Sequence, residues 1–418
     1  MTRTKTWWFD DHESQVMFMG AGASSYRGLR AHFLVPRTLI GSHALQVFFE
    51  QAEGVFHRKR ALLVTDRFMA GEAEKVADLF KRFGFEAELW DGVEGEAPLN
   101  CIREGASVAR EYQPSLLVAF GGGSVIDAVK ALWILYEKDN FDLTQVHPLE
   151  PMGLREKALM LAIPTTSGTG SESTMAAVLT DEEESPPVKV SLMHPEIVPD
   201  FAIVDSRYVL GMPSRLAMGS GLDALTHAVE AYFSTWSNDF TEPFSVRAIQ
   251  RILEFLPRSV KSGKDREARF KVHIASNLGG LAFSNAVPGI AHSAGHALGK
   301  LFGIHHGLAV GVFLPYALQY HSKVTDKGDS LAGELQIPYE IGKGTTALVK
   351  RLRSLYQQVG GPLSASELVD EESFINNIEE LSRIASEDPI TLVSVRPINQ
   401  EGYRSFLEYA FYGKDIDY

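Results

Sequence analysis

One junction constrains the fold of the first half of the chain more than any other stretch. Ser115-Leu-Leu-Val-Ala-Phe120 is a wholly apolar run after its first residue, and it passes directly into Gly121-Gly-Gly-Ser124 and then into the helical stretch Val125–Tyr136. A short apolar run bounded by glycine reads as a strand buried on both faces. Ala61-Leu-Leu-Val-Thr65, Ala87-Glu-Leu-Trp90, Ala158-Leu-Met-Leu-Ala-Ile163 and Phe201-Ala-Ile-Val-Asp205 also read as strands. Amphipathic helices fit 71–83 and 98–112, and Phe33–Gly41 reads as an extended entry. Strands that alternate with helices build a parallel sheet covered on both sides. Asp181-Glu-Glu-Glu-Ser-Pro-Pro187 is a charged turn, read as a solvated hairpin tip.

From Pro213 onward the pattern changes. Helical periodicity takes over in 214–232, 243–262, 265–284, 289–301 and 307–322, while 324–345 is poorly periodic and reads as a loop. The expected organisation is an appendage over 1–30, an α/β dinucleotide-binding domain over 31–210 and an all-helical metal-binding domain over 211–418. A chain of 418 residues is long enough for two such cores. The net charge of −13 argues against nucleic acid or an anionic membrane as the main partner. Cys101 is the only cysteine, no run reaches transmembrane length, and the first residues lack a signal-peptide apolar run. A cytoplasmic protein is the expectation.

Two stretches carry the chemistry of the second half. In Gly221-Leu-Asp-Ala-Leu-Thr-His-Ala-Val-Glu230, Asp223 and His227 are four apart, and Glu230 continues their face. In Ala291-His-Ser-Ala-Gly-His-Ala-Leu-Gly299, His292 and His296 are again four apart, with His305-His306 following. A lone histidine is more often a hydrogen-bonded core residue than a ligand. Two such pairs in Gly/Ala-rich sequence instead suggest that two helices close a site for a divalent first-row metal. Spacing leaves open which of His292, His296, His305 and His306 bind.

Two loops at predicted strand ends suit a nucleotide. The glycines of 121–123 allow close backbone approach, and the N–H groups of the following helix favour a phosphate. Pro164-Thr-Thr-Ser-Gly-Thr-Gly-Ser-Glu172 offers many hydroxyl and amide donors. Each is a weak signal alone, yet strand ends are where open α/β sheets bind dinucleotides. Asp66, at the end of the strand Ala61–Thr65, can accept both adenosine-ribose hydroxyls and would repel a 2′-phosphate. The plainer reading is that it caps the next helix.

Val64-Thr-Asp-Arg67, Gly121-Gly-Gly-Ser-Val-Ile-Asp-Ala-Val-Lys130, the 164–172 loop, the 221–230 stretch and His292-Ser-Ala-Gly-His296 with His306-Gly307 together resemble the iron-dependent, or group III, alcohol dehydrogenase family. The likeness covers about 33–415 and leans toward butanol dehydrogenases and the alcohol dehydrogenase half of bifunctional aldehyde–alcohol dehydrogenases. It implies a Rossmann-like α/β domain followed by a helical domain, in the dehydroquinate synthase-like arrangement. It implies a metal, Fe2+, held by Asp223, His227, His292 and His306; ligand type alone would also admit the tighter-binding Zn2+. His296 becomes a non-ligand facing the nicotinamide and a candidate proton relay, and His305 becomes structural. Gly122, Gly123 and Ser124 would cradle the pyrophosphate of NAD. Thr165, Thr166 and Thr169 would line the cleft, and Lys189 would stand near the nicotinamide ribose. Asp127 is expected to stabilise a helix terminus and turn rather than to be catalytic. The expected reaction moves hydride between a small primary alcohol or aldehyde and NAD(H), in a stand-alone homodimer or higher homo-oligomer. Two rivals are a dehydroquinate-synthase-type lyase, disfavoured because its family ligand is a glutamate where Asp223 stands, and a non-catalytic scaffold. Gly95-Glu-Ala-Pro-Leu-Asn100 and Ser394-Val-Arg-Pro397 depart from the family pattern, as do the long start and the 324–345 link.

Overall fold

The computed structural model describes residues 33–52, 54–183 and 188–418, so the expected appendage lies outside the described residues. The chain divides into two compact units. The first contains Leu34–Thr166 and Gly170–Val209, and the second contains Ser167–Thr169 and Leu210–Tyr418.

In the first unit the elements run β1 (Arg37–Ile40), α1 (Ala44–Ala52), β2 (Arg60–Asp66), α2 (Ala70–Arg82), β3 (Glu86–Val93), α3 (Leu99–Tyr112), β4 (Leu116–Gly121), α4 (Gly123–Glu137), β5 (Leu159–Pro164), β6 (Ala176–Asp181), β7 (Val188–Met193) and β8 (Phe201–Val204). Six strands form one sheet in the order β1-β8-β5-β4-β2-β3, all parallel. Their apolar runs serve two cores by simple alternation. Leu62, Val64, Leu117, Ala119, Met160 and Ala162 face the cluster packed by α3 and α4. Ala61, Leu63, Leu116, Val118, Leu161 and Ile163 face the cluster packed by α1 and α2. Every residue from Leu116 to Gly121 is buried, as a strand covered on both faces requires. β6 and β7 pair antiparallel, which matches the hairpin expected around 181–187.

The strand order sets where a ligand can sit. After β2 the chain steps outward to β3, then returns to β4 on the other side of β2. The connections leaving β2 and β4 therefore diverge, and a crevice opens at their carboxyl ends. The register pairs Val64 with Ala119, and Thr65 Oγ1 donates to the Phe120 carbonyl at 2.6 Å. Asp66 and Gly121 consequently end neighbouring strands.

The second unit is helical: α5 (Ser214–Phe233), α6 (Glu242–Lys261), α7 (Arg266–Ala286), α8 (Ile290–Phe302), α9 (His306–Gly311), α10 (Leu314–His321), α11 (Lys327–Glu334), α12 (Gly344–Val359), α13 (Glu371–Ser386) and α14 (Gln400–Phe411). α5 is buried almost all round, from Gly219 to Phe233. It joins α6, α7 and α12 in one core. α8, α10, α13 and α14 build another. Two expectations are corrected. The single helix read over 307–322 is two, because Pro315 stands in the first turn of α10 and cannot donate the bond that would continue α9. The loop read over 324–345 contains α11, whose two turns bury only Leu331 and Ala332 among apolar side chains, too few for a readable period. Among the described residues no helix is long and apolar enough to cross a membrane.

Candidate metal and nucleotide sites

α5 and α8 present their polar residues to one point, and close packing brings them there. A Cβ at Gly295 of α8 would lie 2.6 Å from Val310 Cα, and one at Gly307 would lie 2.1 Å from the Gly219 carbonyl oxygen. Glycine at both positions therefore lets α9 sit tightly against α8 and α5. Asp223, His227, His292 and His306 converge, with one donor atom from each lying within 4.8 Å of the others. Asp223 Oδ1 is 3.7 Å from His227 Nδ1, 3.8 Å from His292 Nε2 and 3.3 Å from His306 Nε2. Asp223, His227 and His292 are buried, whereas the His306 side chain is 43% exposed and opens the cluster to one side.

The polar atoms at the centre do not satisfy one another. Asp223 Oδ1, His227 Nδ1 and His292 Nε2 are buried without a hydrogen-bond partner among the described residues. Orphaned buried groups of this kind are costly. A cation at their focus removes the cost, and three imidazoles with one carboxylate suit Fe2+ or Zn2+. The donor set therefore fits the metal.

Burial alone would push the Asp223 carboxyl up, but the neighbouring imidazoles of His227 and His306 outweigh it and hold it well below the usual range. Burial pulls His227 down to about 3, which keeps it neutral as a ligand must be. At His292 burial favours the neutral ring, yet Asp223 and Glu230 outweigh it and raise the imidazole to about 9. Cation binding there displaces a proton.

Glu230 has a role that the sequence reading missed. Its Oε2 lies 2.6 Å from His292 Nδ1, and its Oε1 accepts the Ala291 N–H at 2.6 Å. It thus caps the start of α8, which lacks a cap of its own, and directs Nε2 of His292 at the other donors. Its place three residues after His227, on the same helix face, was the available signal. His296 remains apart from the donor set. Its Nδ1 lies 2.7 Å from Asp388 Oδ2, and its ring stacks on His306 at a centroid distance of 5.3 Å. His305 precedes α9, where its carbonyl accepts from Leu308 and Ala309.

The nucleotide residues gather in part. Gly122 precedes α4 as its N-cap in extended conformation, no side chain caps the helix, and its first turn holds no acid. Gly123 and exposed Ser124 open α4, where the leading N–H groups of a helix have no partner within it. Thr165 N–H donates to the Gly121 carbonyl at 2.9 Å, and Thr166 packs beside Gly122. Thr169, half-buried, belongs to the second unit. Lys189 Nζ lies 2.8 Å from Glu96 Oε2 and 2.9 Å from Thr180 Oγ1, which occupies two of its three donors. Asp66 Oδ1 accepts the Met69 N–H at 2.9 Å, so it does brace the turn into α2. Asp127 accepts from Ser171 Oγ, in the 3-10 turn Ser171–Ser173, and from the Val178 N–H of β6, so it braces a turn and the hairpin against α4 rather than its own helix end.

Together these features define a class: an open parallel α/β unit whose strand order reverses between β2 and β4, followed by a helical unit with a three-histidine, one-aspartate cluster. The profile described as iron-containing alcohol dehydrogenase matches residues 36–206, and that described as the Fe-containing alcohol dehydrogenase family C-terminal region matches 217–411. The NADPH-dependent butanol dehydrogenase of Clostridium saccharobutylicum is 36% identical over 369 residues, which is 86% of this chain and 94% of that one. The bifunctional aldehyde-alcohol dehydrogenase AdhE of Escherichia coli is 34% identical over 392 residues, covering 85% of this chain and 43% of the longer protein. The solved iron containing alcohol dehydrogenase of Thermococcus thioreducens superposes with a TM-score of 0.82 at 31% identity, over 92% of this chain and all of that one. The chain belongs to the iron-containing alcohol dehydrogenase family. Its reaction class is NAD-linked interconversion of alcohol and aldehyde, and the lyase and scaffold alternatives are not favoured.

Proposed function

We propose that this chain oxidises a small primary alcohol, or reduces the matching aldehyde, with Asp223, His227, His292 and His306 as metal ligands and His296 as the proton relay. The observation that carries this reading is the focus of orphaned buried donor atoms between α5, α8 and α9. When bound, the ion supplies Lewis-acid polarisation of the substrate oxygen, and the nicotinamide ring of NAD takes or gives the hydride. Asp223 contributes the one negative ligand, so a divalent centre keeps a net positive charge. Glu230 aims His292. His296, bonded at Nδ1 to Asp388, has Nε2 available to take the proton that the alcohol releases. Phe283 stacks on His227 with centroids 4.0 Å apart, and its apolar surface suits a short carbon chain. Phe302 instead packs into the core built around α8 and α13.

Gly122, Gly123 and Ser124 are read as the pyrophosphate cradle, Asp66 as the ribose ligand, Thr165, Thr166 and Thr169 as further cleft residues, and Lys189 as the nicotinamide-ribose contact. NAD is preferred over NADP because the Asp66 carboxylate repels a 2′-phosphate. The name of the Clostridium relative specifies NADPH, and cofactor choice is therefore a test in its own right. The chain is read as a cytoplasmic homo-oligomer, and the single, buried cysteine accords with the cytoplasm.

The assay is alcohol-dependent reduction of NAD and NADP by enzyme reconstituted with Fe2+ or Zn2+, over a panel of primary alcohols. Turnover that a chelator abolishes and either metal restores is expected. A chain with one metal ion bound and no turnover on any alcohol contradicts the proposal.

A further inference from the structure

The relay assignment leaves one question open: what decides which nitrogen of His296 carries the hydrogen. Asp388 Oδ2 lies 2.7 Å from Nδ1, and the Asp388 side chain is only 15% exposed. Its other oxygen, Oδ1, accepts the Ile390 N–H at 3.1 Å and caps the short 3-10 turn Pro389–Val393. That turn is pinned in its own right. Thr391 Oγ1 bonds the Ala385 carbonyl at 3.1 Å, Ser293 Oγ at 3.0 Å and Tyr403 Oη at 2.6 Å. The carboxylate is thus held by a backbone N–H at the start of a turn that the buried Thr391 hydroxyl pins, which restrains it beside the imidazole.

An ionised carboxylate only accepts, so a neutral His296 bonded to it must hold its hydrogen on Nδ1 and leave a lone pair on Nε2. On the other side the ring stacks against His306 at an interplanar angle of 23°, which limits rotation. We propose that Asp388 is a positioning residue for the reaction: it sets the Nδ1–H tautomer and the ring plane of His296, so that Nε2 is the base. This rests on the relay reading of His296. In the oxidation direction the alcohol O–H proton passes to Nε2. Bound NAD would supply the acceptor for the carbinol C–H pair as hydride, with the C–O bond becoming the carbonyl. The resulting imidazolium lies against the Asp388 carboxylate, which offsets its charge until Nε2 returns the proton to water.

Asp388→Ala, His296→Ala and the double variant separate positioning from packing. Asp388→Asn, of nearly the same shape, replaces Asp388→Ala if that variant does not fold. Positioning predicts that Asp388→Ala lowers kcat by about 10–100-fold, with KM, metal content and melting temperature close to the parent. It also predicts no further loss when Asp388→Ala is added to His296→Ala. A second readout is independent of turnover. In 15N-histidine-labelled, zinc-loaded protein, the His296 signal (the one missing from His296→Ala) is expected as an Nδ1–H form that shifts toward Nε2–H in Asp388→Ala. An unchanged tautomer, or losses that multiply in the double variant, would overturn the proposal. If His296→Ala keeps full rate, the relay reading fails, while the tautomer shift still decides whether Asp388 sets the ring.

Discussion

Asp66 is the residue on which cofactor choice rests. Its carboxylate ends β2 beside the crevice while one oxygen braces the turn at Met69. The ribose and capping readings are therefore compatible. At ~4 Å the repulsion of a phosphate charge is about 1 kcal/mol in water and ~4 kcal/mol at an effective dielectric of 20. A preference for NAD of at least roughly tenfold follows, since ~1.4 kcal/mol is a factor of ten. Asp66→Gly is expected to gain NADP activity and to lose the Met69 bond, worth about 0.5–2 kcal/mol. Steady-state kinetics with both cofactors checks it, and an unchanged ratio would leave Asp66 a turn brace only. At this scale i,i+4 spacing, a local property of a helix, made the Asp223–His227 and His292–His296 pairs visible as candidates but left open which histidines bind; the set that includes His306 came from the family resemblance. Glu230 and Asp388 were not given their roles. They act on His292 and His296 across 62 and 92 residues of chain, and no periodicity reports such a contact.

At the scale of elements, the site depends on how closely α9 approaches α5. A methyl group at Gly307 would stand 2.1 Å from the Gly219 carbonyl oxygen and 3.0 Å from Asp223 Cβ. Gly307→Ala must push α9 away and carry His306 with it, at an overpacking cost of about 1–3 kcal/mol. Chelator competition should show metal affinity reduced at least roughly tenfold, since ~1.4 kcal/mol is a factor of ten. Gly71→Ala on α2, with open space at its Cβ, is the control. An unaltered affinity in Gly307→Ala would mean that the crossing is softer than its contacts indicate. α10 carries a pH dependence. His321 is buried, stacks on Phe233 and bonds Ser394 Oγ at 3.0 Å, and burial pulls its imidazole down from 6.5 to about 4. The unfolded chain then binds more protons between those values, so stability is full above pH 6.5 and falls as pH drops toward 4. The upper bound is about 3 kcal/mol, from 1.36 kcal/mol per pH unit. Denaturant unfolding of metal-loaded His321→Phe at pH 7 and pH 5 should show a shallower loss than the parent, and equal losses would exclude His321 as the cause. Long elements were legible because their apolar period repeats: the buried strands and α5 to α8 stand within a few residues of their expected places. α11 and the α9–α10 break were not, since two turns give too short a pattern and one proline outweighs a continuous helical period.

At the scale of the whole molecule, the chain divides into two compact units. The first builds a crevice from the reversal of strand order at β2 and β4, and the second builds a donor cluster on buried helices. The reversal itself was not legible, because strand order depends on pairings that composition does not encode. A metal bound only by the folded chain adds stability by mass action, about 2.7 kcal/mol at a free concentration one hundred times Kd. The central claim is that Asp223, His227, His292 and His306 hold that ion, and X-ray absorption at the metal edge tests it most directly. The account predicts one ion per chain, with three imidazole nitrogens and one carboxylate oxygen from the protein. In Asp223→Ala the oxygen ligand, the bound ion and the activity should be lost together while the fold persists. A parent site without three imidazoles, or an Asp223→Ala variant that keeps its ion and its full rate, would contradict it.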